Sequence, residues 1–204
     1  MSGLRELQKE MRRQAIADAA IELFQRQGFQ NTTIEQIARH AGVSAPTVFK
    51  YFNSKQEIIL EMLKEADNRA VLDLRDKMRE FDDPVDTLCH LESLLVSYSL
   101  DVLPAPLWRE LLPLILSNER EGLPQAYREM NAALQAQIAN VLRDLQARGK
   151  LHAELDVELT AFLLNDYSHL QLLRLVSAAE PDREAHARQV RLTTQLIFQG
   201  MRPD

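Results

Sequence analysis

The strongest constraint on this chain lies between Thr33 and Phe52, where small and β-branched apolar residues surround one glycine. Six positions share this character: Ile37, Ala38, Ala41, Gly42, Val43 and Val48. Two helices that cross around a tight turn need a small residue where their backbones approach and a glycine where the chain reverses. Ala38 and Gly42 meet these two needs. The pattern therefore predicts two short helices joined by a turn at Gly42.

A longer amphipathic helix is predicted before this pair, over about Leu7–Gln27. Its apolar residues recur at the spacing of one helical face: Ile16, Ala20, Leu23 and Phe24. Gly28 follows, and glycine is the usual residue just after a helix end. The first helix is therefore expected to stop shortly before the pair begins.

Hydroxyl side chains mark the starts of the next three helices. Thr32 or Thr33 opens a capping box, because an acid or amide side chain stands three residues later. Ser44 caps the following helix, with a proline in its first turn, and Ser54 opens a second capping box. These helices are predicted to end at about Ala41, Tyr51 and Glu80, respectively.

Proline and glycine divide the remaining sequence into five further helices. The breaks are Asp82-Asp83-Pro84, Pro104 with Pro106, Gly122 with Pro124, Gly149, and Glu180-Pro181. No segment shows the alternation of a half-buried strand, so an all-α fold is predicted.

The last two helices are predicted over about Asp156–Ala178 and Pro181–Met201. Apolar residues nearly encircle the first of them: Leu159, Phe162, Leu163, Leu164, Tyr167, Leu170, Leu172, Leu173, Leu175 and Val176. An apolar surface wider than a single core-facing stripe implies that the helix is buried on two sides. A subunit interface is one way to cover its second side.

Charge is distributed unevenly along the chain. The net charge is -6, but the segment up to Lys55 holds 8 cations and 5 acids, which gives +3 and leaves -9 for the remainder. A basic head on an acidic body suits a protein whose first segment meets a polyanion such as nucleic acid.

Several classes of protein lack support in the sequence. Cys89 is the only cysteine, so no intrachain disulfide is possible and a cytoplasmic location is expected. There is no apolar leader segment and no stretch of 18 uncharged apolar residues, so membrane association is not expected.

Catalysis and metal binding also lack a motif. The histidines show no metal-ligand spacing: His40, His90, His152, His169 and His186. No nucleophile elbow or glycine-rich phosphate loop is present either. We therefore expect no metal, no cofactor and no enzymatic activity.

Three segments in order resemble the tetracycline-repressor (TetR) family of bacterial regulators. They are Gly28-Phe29-Gln30-Asn31-Thr32-Thr33, Ile37-Ala38-Arg39-His40-Ala41-Gly42-Val43-Ser44, and Tyr51-Phe52-Asn53-Ser54-Lys55. The resemblance covers about the first quarter of the chain. It implies a three-helix, helix-turn-helix DNA-binding domain over residues 1–54 and a larger helical effector-binding and dimerisation domain over residues 55–204.

The resemblance also implies which residues meet DNA. Thr33 and Lys55 would contact phosphates from helix starts, and Tyr51 and Lys50 would contact the backbone. The tip of the third helix would meet base edges through Ser44, Ala45, Pro46 and Thr47. Phe49 departs from the family's frequent tyrosine, so an apolar contact is expected there. Because this helix lacks Arg, Asn and Gln, we expect much of the discrimination to come from Lys50, methyl contacts and DNA shape.

A small-molecule effector is a further implication of the resemblance. Candidate linings of its cavity are Tyr98, Trp108, Asn165 and His169. Asn165 and His169 share one face of an apolar helix, where polar side chains need partners. A ligand is one source of such partners, and neighbouring helices or water are the other.

These features together favour a homodimeric repressor that an effector releases from a near-palindromic operator on double-stranded DNA. Two alternatives stay open at this point. The second domain would bind a protein partner or nothing, or the chain would be a helical ligand carrier or enzyme with only the outline of a DNA-binding head.

Overall fold

The computed structural model describes the backbone of residues 2–116 and 123–199 and the side chains of residues 3–113 and 127–199. Within these ranges the regular elements are all helical, as predicted, and their bounds are as follows. They are α1 (Ser2–Gln27), α2 (Ile34–His40), α3 (Ala45–Phe49), α4 (Lys55–Lys77), a 3-10 turn (Met78–Glu80), α5 (Pro84–Val102), α6 (Ala105–Leu116), α7 (Leu123–Ala147), α8 (Val157–Ser177) and α9 (Arg183–Gln199).

The predicted helix order is confirmed, and the differences are at the ends. Helix α1 begins at Ser2, five residues before the predicted start. Helix propensity does not depend on burial, so exposed residues extend the helix beyond its apolar face. Helix α3 ends at Phe49, before the predicted Tyr51. The predicted break at Gly122 and the predicted end at Met201 lie outside the described residues.

Two compact units make up the chain. The first comprises Met1–Leu63 with Val102–Tyr127, and the second comprises Lys64–Asp101 with Arg128–Asp204. The first compact unit therefore contains α6 as well as α1, α2 and α3. The predicted functional boundary between residues 54 and 55 remains a prediction.

The first unit has its own apolar core beneath the α2–α3 turn. Its buried side chains come from five helices: Ile16, Leu23 and Phe24 of α1, Ile37 of α2, Val48 of α3, Ile58 of α4 and Leu107 of α6. Phe24 and Phe29 stack at 5.2 Å between ring centroids. This core fixes the position of the two short helices, which are too short to be stable alone.

The second unit is built on a cluster of buried leucine, isoleucine, valine and alanine side chains. These come from four helices: Val71 and Leu74 of α4, Leu88, Leu91 and Leu95 of α5, Leu134, Ile138 and Leu142 of α7, and Ala161 and Leu164 of α8. Asp83 caps α5, accepting the Val85 amide at 2.8 Å. Among the described residues, no helix is long and apolar enough to cross a membrane.

Candidate functional site

The turn between α2 and α3 has the geometry that the sequence predicts. Gly42 adopts φ +68°, a left-handed conformation that side chains disfavour. The Val43 amide donates to the Ala38 carbonyl at 2.9 Å, which closes the turn against the small residue of α2. Ile37 and Val48 are fully buried beneath it. The two helices are therefore held in one fixed relation.

Helix α3 starts with a hydroxyl pair. The Ser44 side chain accepts the Thr47 amide at 3.3 Å, and the two hydroxyl oxygens lie 2.8 Å apart. Both hydroxyls therefore have a local role in capping the helix. Thr47 and Ala45 are half-buried at this tip, whereas Ser44 is exposed.

The outer face of α3 is exposed and mixed in character. Pro46, Phe49 and Lys50 are exposed, and Phe49 leaves 53% of its surface accessible in spite of its size. Tyr51 follows the helix and is half-buried. The structure thus brings the predicted contact residues of α3 onto one short element, with Val48 alone turned fully into the core.

Thr33 forms the predicted capping box, and Gln36 is its partner. The Thr33 hydroxyl accepts the Gln36 amide at 3.3 Å, and the Gln36 side chain accepts the Thr33 amide at 2.8 Å. Thr32, the alternative cap, is buried instead and donates its hydroxyl to the Gly28 carbonyl at 2.8 Å. Thr33 remains exposed at the start of α2.

Lys55 has an internal role that the sequence does not indicate. Its ammonium group donates to the Phe29 carbonyl at 2.6 Å and to the Thr32 carbonyl at 2.9 Å. The same nitrogen lies 4.2 Å from the centre of the Phe29 ring, within cation-π distance. Lys55 therefore ties the α1–α2 turn to the start of α4, and its predicted phosphate contact stays a prediction.

The start of α4 differs from the second predicted capping box in one bond. Ser54 accepts the Glu57 amide at 3.1 Å, as expected. The Glu57 carboxylate, however, accepts from Asn53, through its backbone amide at 2.7 Å and its side chain at 2.9 Å. The amide side chain of Asn53 offers a second donor, and this makes it the better partner for the carboxylate.

Glu110 is a further turn-holding residue that sequence reasoning missed. Its carboxylate accepts the Phe29 amide at 3.1 Å, from 81 positions away in the chain. Such a contact depends on how α6 packs in the first unit, and no local pattern signals it. The α1–α2 turn is thus held on both sides, by Lys55 at its carbonyls and by Glu110 at an amide.

The predicted effector-lining residues fall into different surroundings. Trp108 is buried in the core of the first unit, with 5% of its surface accessible. Tyr98, in the second unit, donates to the Asp73 carboxylate, and this bond raises the pKa of the phenol. The guanidinium of Arg69 lies 4.7 Å from the centre of the Tyr98 ring.

Asn165 and His169 are brought together as the spacing predicts. A ring nitrogen of His169 lies 2.8 Å from the Asn165 carbonyl. Asn165 is fully buried and donates its side-chain amide to Asn131 of α7 at 2.9 Å. A neighbouring helix therefore supplies one partner, while the Asn165 side-chain oxygen has none among the described residues.

One buried acid in the second unit has a signal that sequence reasoning overlooked. Glu92 stands on α5 one position after Leu91 and four after Leu88, inside an apolar stripe. It is 8% accessible. A charged residue within the buried stripe of a helix is rare and needs a partner or a ligand. Among the described residues no cluster of three potential metal ligands occurs.

Comparisons with known proteins point to one family. Residues 16–62 match the family model for bacterial regulatory proteins of the tetR family. The HTH-type transcriptional regulator HbdR of Aromatoleum sp. (strain CIB) is 38% identical over 81 residues, which cover 40% of this chain and 35% of that protein. SrpR of Pseudomonas putida, also an HTH-type transcriptional regulator, is 30% identical over 152 residues, 72% of this chain and 66% of that protein.

A solved structure is similar over nearly the whole length. FadR of Thermus thermophilus, a repressor crystallised with lauroyl-CoA, has a TM-score of 0.74 and 26% identity and covers 94% of this chain and 96% of its own. By contrast, the sequence match to HbdR spans about a third of that relative. The similarity therefore extends to the fold of both units, and it is most specific in the helix-turn-helix.

Proposed function

The chain belongs to the TetR family of bacterial regulatory proteins, and from this premise we propose that it regulates transcription by binding operator DNA as a homodimer. The observation that carries the proposal is the exposed outer face of α3, within the segment that matches the family model. A helix of this kind reads DNA from the major groove, and the helix before it crosses the backbone.

The exposed side chains of α3 suit a particular mode of readout. Pro46 and Phe49 offer apolar surface to thymine methyl groups, and Lys50 offers a charge to a phosphate or a base edge. Thr33 and Tyr51 add hydroxyl donors for phosphates. Because the face has no Arg, Asn or Gln for bidentate readout, DNA shape contributes much of the discrimination.

Exposed apolar residues on α8 and α9 support dimerisation. Those of α8 form a single stripe at helical spacing, and those of α9 stand one turn apart: Leu159, Phe162, Leu163 and Leu170 on α8, and Leu192 and Leu196 on α9. A contiguous apolar surface of this kind marks an interaction site. We propose that a second copy of the chain covers it, and we refer to these six residues as the dimer stripe.

Two-fold symmetry of the dimer determines the kind of operator. Two copies of α3 related by a two-fold axis require a near-palindromic site, with half-sites about 34 to 36 Å apart. An effector bound in the second unit would favour the conformation in which this spacing no longer fits. Couplings of about 1 to 3 kcal/mol are sufficient for such regulation.

The effector site is proposed for the second unit. The similar FadR structure contains lauroyl-CoA, which supports an effector with a substantial apolar part. Asn165 and His169 remain candidates for its lining, because the buried Asn165 oxygen has no partner among the described residues. We place the protein in the cytoplasm, without catalytic activity, as is expected of a regulator of this family.

Selection of bound duplexes from a random pool tests the proposal most directly. We expect a two-fold symmetric site, bound with an affinity that falls steeply as salt is added, because phosphate neutralisation releases counterions. Lys50→Ala should weaken binding by about tenfold, a loss of about 1.4 kcal/mol. Lys77→Ala, which removes an exposed lysine near the end of α4, is the matched control and should bind as the unmodified chain does.

Sedimentation measures the proposed dimer. Leu163→Asp puts a charge into the dimer stripe and should yield monomers at concentrations where the unmodified chain is dimeric. Leu72→Asp changes a leucine on α4 that is similarly exposed but lies outside the stripe, and it should leave the dimer intact. A chain that is monomeric and does not bind duplex DNA at low ionic strength would contradict the whole proposal and favour a helical carrier or enzyme.

A further inference from the structure

Glu92 is a buried carboxylate with a hydrogen-bond partner for only one of its two oxygens among the described residues. Its Oε2 accepts from the Ser168 hydroxyl of α8. Its Oε1 has no hydrogen-bond partner among the described residues. A carboxylate removed from water is costly unless its oxygens are paired, so Oε1 has acceptor capacity that the protein itself leaves unused.

His186 of α9 faces the same oxygen. Its Nε2 lies 3.5 Å from Glu92 Oε1, an ion-pair distance that is too long for a good hydrogen bond. The His186 side chain is only 8% accessible, and its Nε2 also has no hydrogen-bond partner. Two buried polar atoms, on different helices, are therefore directed at one small space, although buried polar atoms in proteins are nearly always paired.

Glu92 separates two empty spaces in the second unit. On one side is a cavity of about 40 Å³ with mainly aliphatic walls: Leu88, Leu91, Leu95, Ile138 and Leu164 are among its lining residues. On the other side is an open cleft of about 380 Å³ between α5 and α9, which His186 also lines. The volume of the cleft falls in the range of small-molecule sites.

The cleft and the dimer stripe lie on different sides of α9. Arg183, Ala187 and Val190 line the cleft. At about 100° per residue, Leu192 and Leu196 of the dimer stripe point to the side of the helix opposite these three residues, and Arg188 lies at the edge between the two sides. A second copy seated on the stripe would therefore meet α9 mainly on the side away from the cleft.

Charges around the pair restrict what can bind there. Arg183, Arg188 and Arg191 line the cleft and disfavour a cation. Two of these charges have acidic partners, Glu184 at 3.7 Å from Arg188 and Asp86 at 2.5 Å from Arg191. An anion would meet the Glu92 carboxylate. The Glu92 charge also acts on Asp67 of α4: burial, and after it this charge, raise the pKa of the Asp67 carboxyl to about 7.

A hydroxyl group fits these restrictions because it both donates and accepts. An oxygen about 2.8 Å from Glu92 Oε1 and from His186 Nε2 can donate to the first and accept an N–H from the second. We propose that Glu92 and His186 anchor a neutral, largely apolar molecule through a single hydroxyl group, with its apolar body in the α5–α9 cleft. The inference rests on the proposed function, since the bound molecule would be the effector.

Three molecules with the same carbon chain and different head groups test this proposal on the unmodified full chain. The probes are 1-octanol, octylammonium and octanoate, with binding measured by calorimetry. We expect octanol to bind at least about tenfold more tightly than either charged probe, because each of these meets a like charge. Equal or tighter binding of octylammonium or octanoate would overturn the proposal, as would no binding of octanol, which would leave the space to water.

Two substitutions sharpen the test. Glu92→Gln removes the negative charge and keeps a side chain that forms hydrogen bonds, so octanoate affinity should rise at least about fivefold relative to octanol. Glu154→Gln, which changes an exposed acid between α7 and α8, should leave the ratio unchanged. An unchanged ratio in Glu92→Gln, with the fold intact by circular dichroism, would overturn the role of Glu92.

Failure of this inference is distinguishable from failure of the proposed function. DNA selection and sedimentation do not depend on any ligand. A chain that dimerises and binds a symmetric DNA site but does not bind octanol contradicts the hydroxyl-anchored site alone. A chain that does neither contradicts the regulator, whatever the three probes do.

Discussion

The α1–α2 turn of the first unit and the interior of the second unit differ in whether their polar groups have hydrogen-bond partners. In the turn, the Phe29 amide donates to Glu110, and the Phe29 and Thr32 carbonyls accept from Lys55. In the second unit, Glu92 Oε1 and His186 Nε2 lie buried 3.5 Å apart without a hydrogen-bond partner among the described residues.

This difference is the one expected between a rigid region that holds a DNA-reading element in place and an interior that binds a ligand. A fully satisfied polar network is rigid and specifies a single arrangement, as a DNA-reading element requires. Unsatisfied buried groups reduce stability, and a ligand that satisfies them stabilises the conformation to which it binds. The contrast is thus the one that a ligand-responsive regulator needs, and it makes different substitutions informative in the two regions.

The largest effect is expected at Lys55. Lys55→Met keeps the aliphatic stem but removes two charge-assisted hydrogen bonds and leaves the two carbonyls of the turn without their donor. Such bonds contribute about 1.5 to 3 kcal/mol each, so the loss of two should lower the free energy of unfolding by about 3 to 6 kcal/mol. Urea unfolding followed by circular dichroism measures this change.

Lys50→Met is the matched control for this substitution. Lys50 is exposed at the end of α3, so its replacement should change the free energy of unfolding by less than about 0.5 kcal/mol. If Lys55→Met unfolds at the same urea concentration as Lys50→Met, the turn does not depend on the lysine bonds, and the contrast between the two regions fails.

A somewhat smaller effect is expected from Asp67 in the second unit. Burial, and after it the charge of Glu92, raises the pKa of its carboxyl from 3.8 to about 7. The unfolded chain therefore releases this proton at lower pH than the folded chain, and stability falls as the pH rises from about 4 to about 7. The loss should be about 2 to 3 kcal/mol.

Asp67→Asn isolates this contribution, because an amide does not titrate. The variant should lose less stability than the unmodified chain over the same pH interval, whereas Asp76→Asn, at an exposed position of α4, should follow the unmodified chain. Parallel curves for Asp67→Asn and the unmodified chain would show that the interior of the second unit does not penalise a negative charge.

Local chemistry explains what the sequence predicted well. The capping pair of Thr33 and Gln36 and the turn at Gly42 depend on residues within five positions of one another, and both are present in the structure. The two internal bonds of Lys55 cross 26 and 23 positions, and the contact from Glu110 crosses 81. These contacts depend on tertiary packing, and the spacing of residues along the sequence does not predict them.

The second unit was less predictable for the same reason. The i and i+4 relation of Asn165 and His169 is local, and it was correctly anticipated as a shared face. The partner of Asn165 on α7, the burial of Trp108 in the first unit and the meeting of Glu92 with His186 depend on which helices are neighbours. A buried acid in an apolar stripe indicates that a polar site is present. It does not indicate which residues of other helices form the rest of that site.

The smallest effect is expected from two glycines, one in a turn of each unit. Gly42 and Gly149 have φ +68° and +70°, and a Cβ atom added to either would have no neighbouring atom within 4 Å. Alanine at each position should therefore cost about 1 kcal/mol through backbone conformation alone. Equal losses in urea unfolding are expected, since neither site adds a clash.

DNA binding should separate these two variants. Gly42→Ala strains the turn that sets the angle of α3, so its affinity for the selected duplex should fall several-fold, because small misplacements of a recognition element weaken every contact that it makes. Gly149→Ala strains a turn between α7 and α8 and should bind that duplex as the unmodified chain does. Equal DNA affinity in the two variants, at equal stability, would mean that the α2–α3 turn tolerates displacement, and rigidity would then no longer distinguish the turns of the first unit from those of the second.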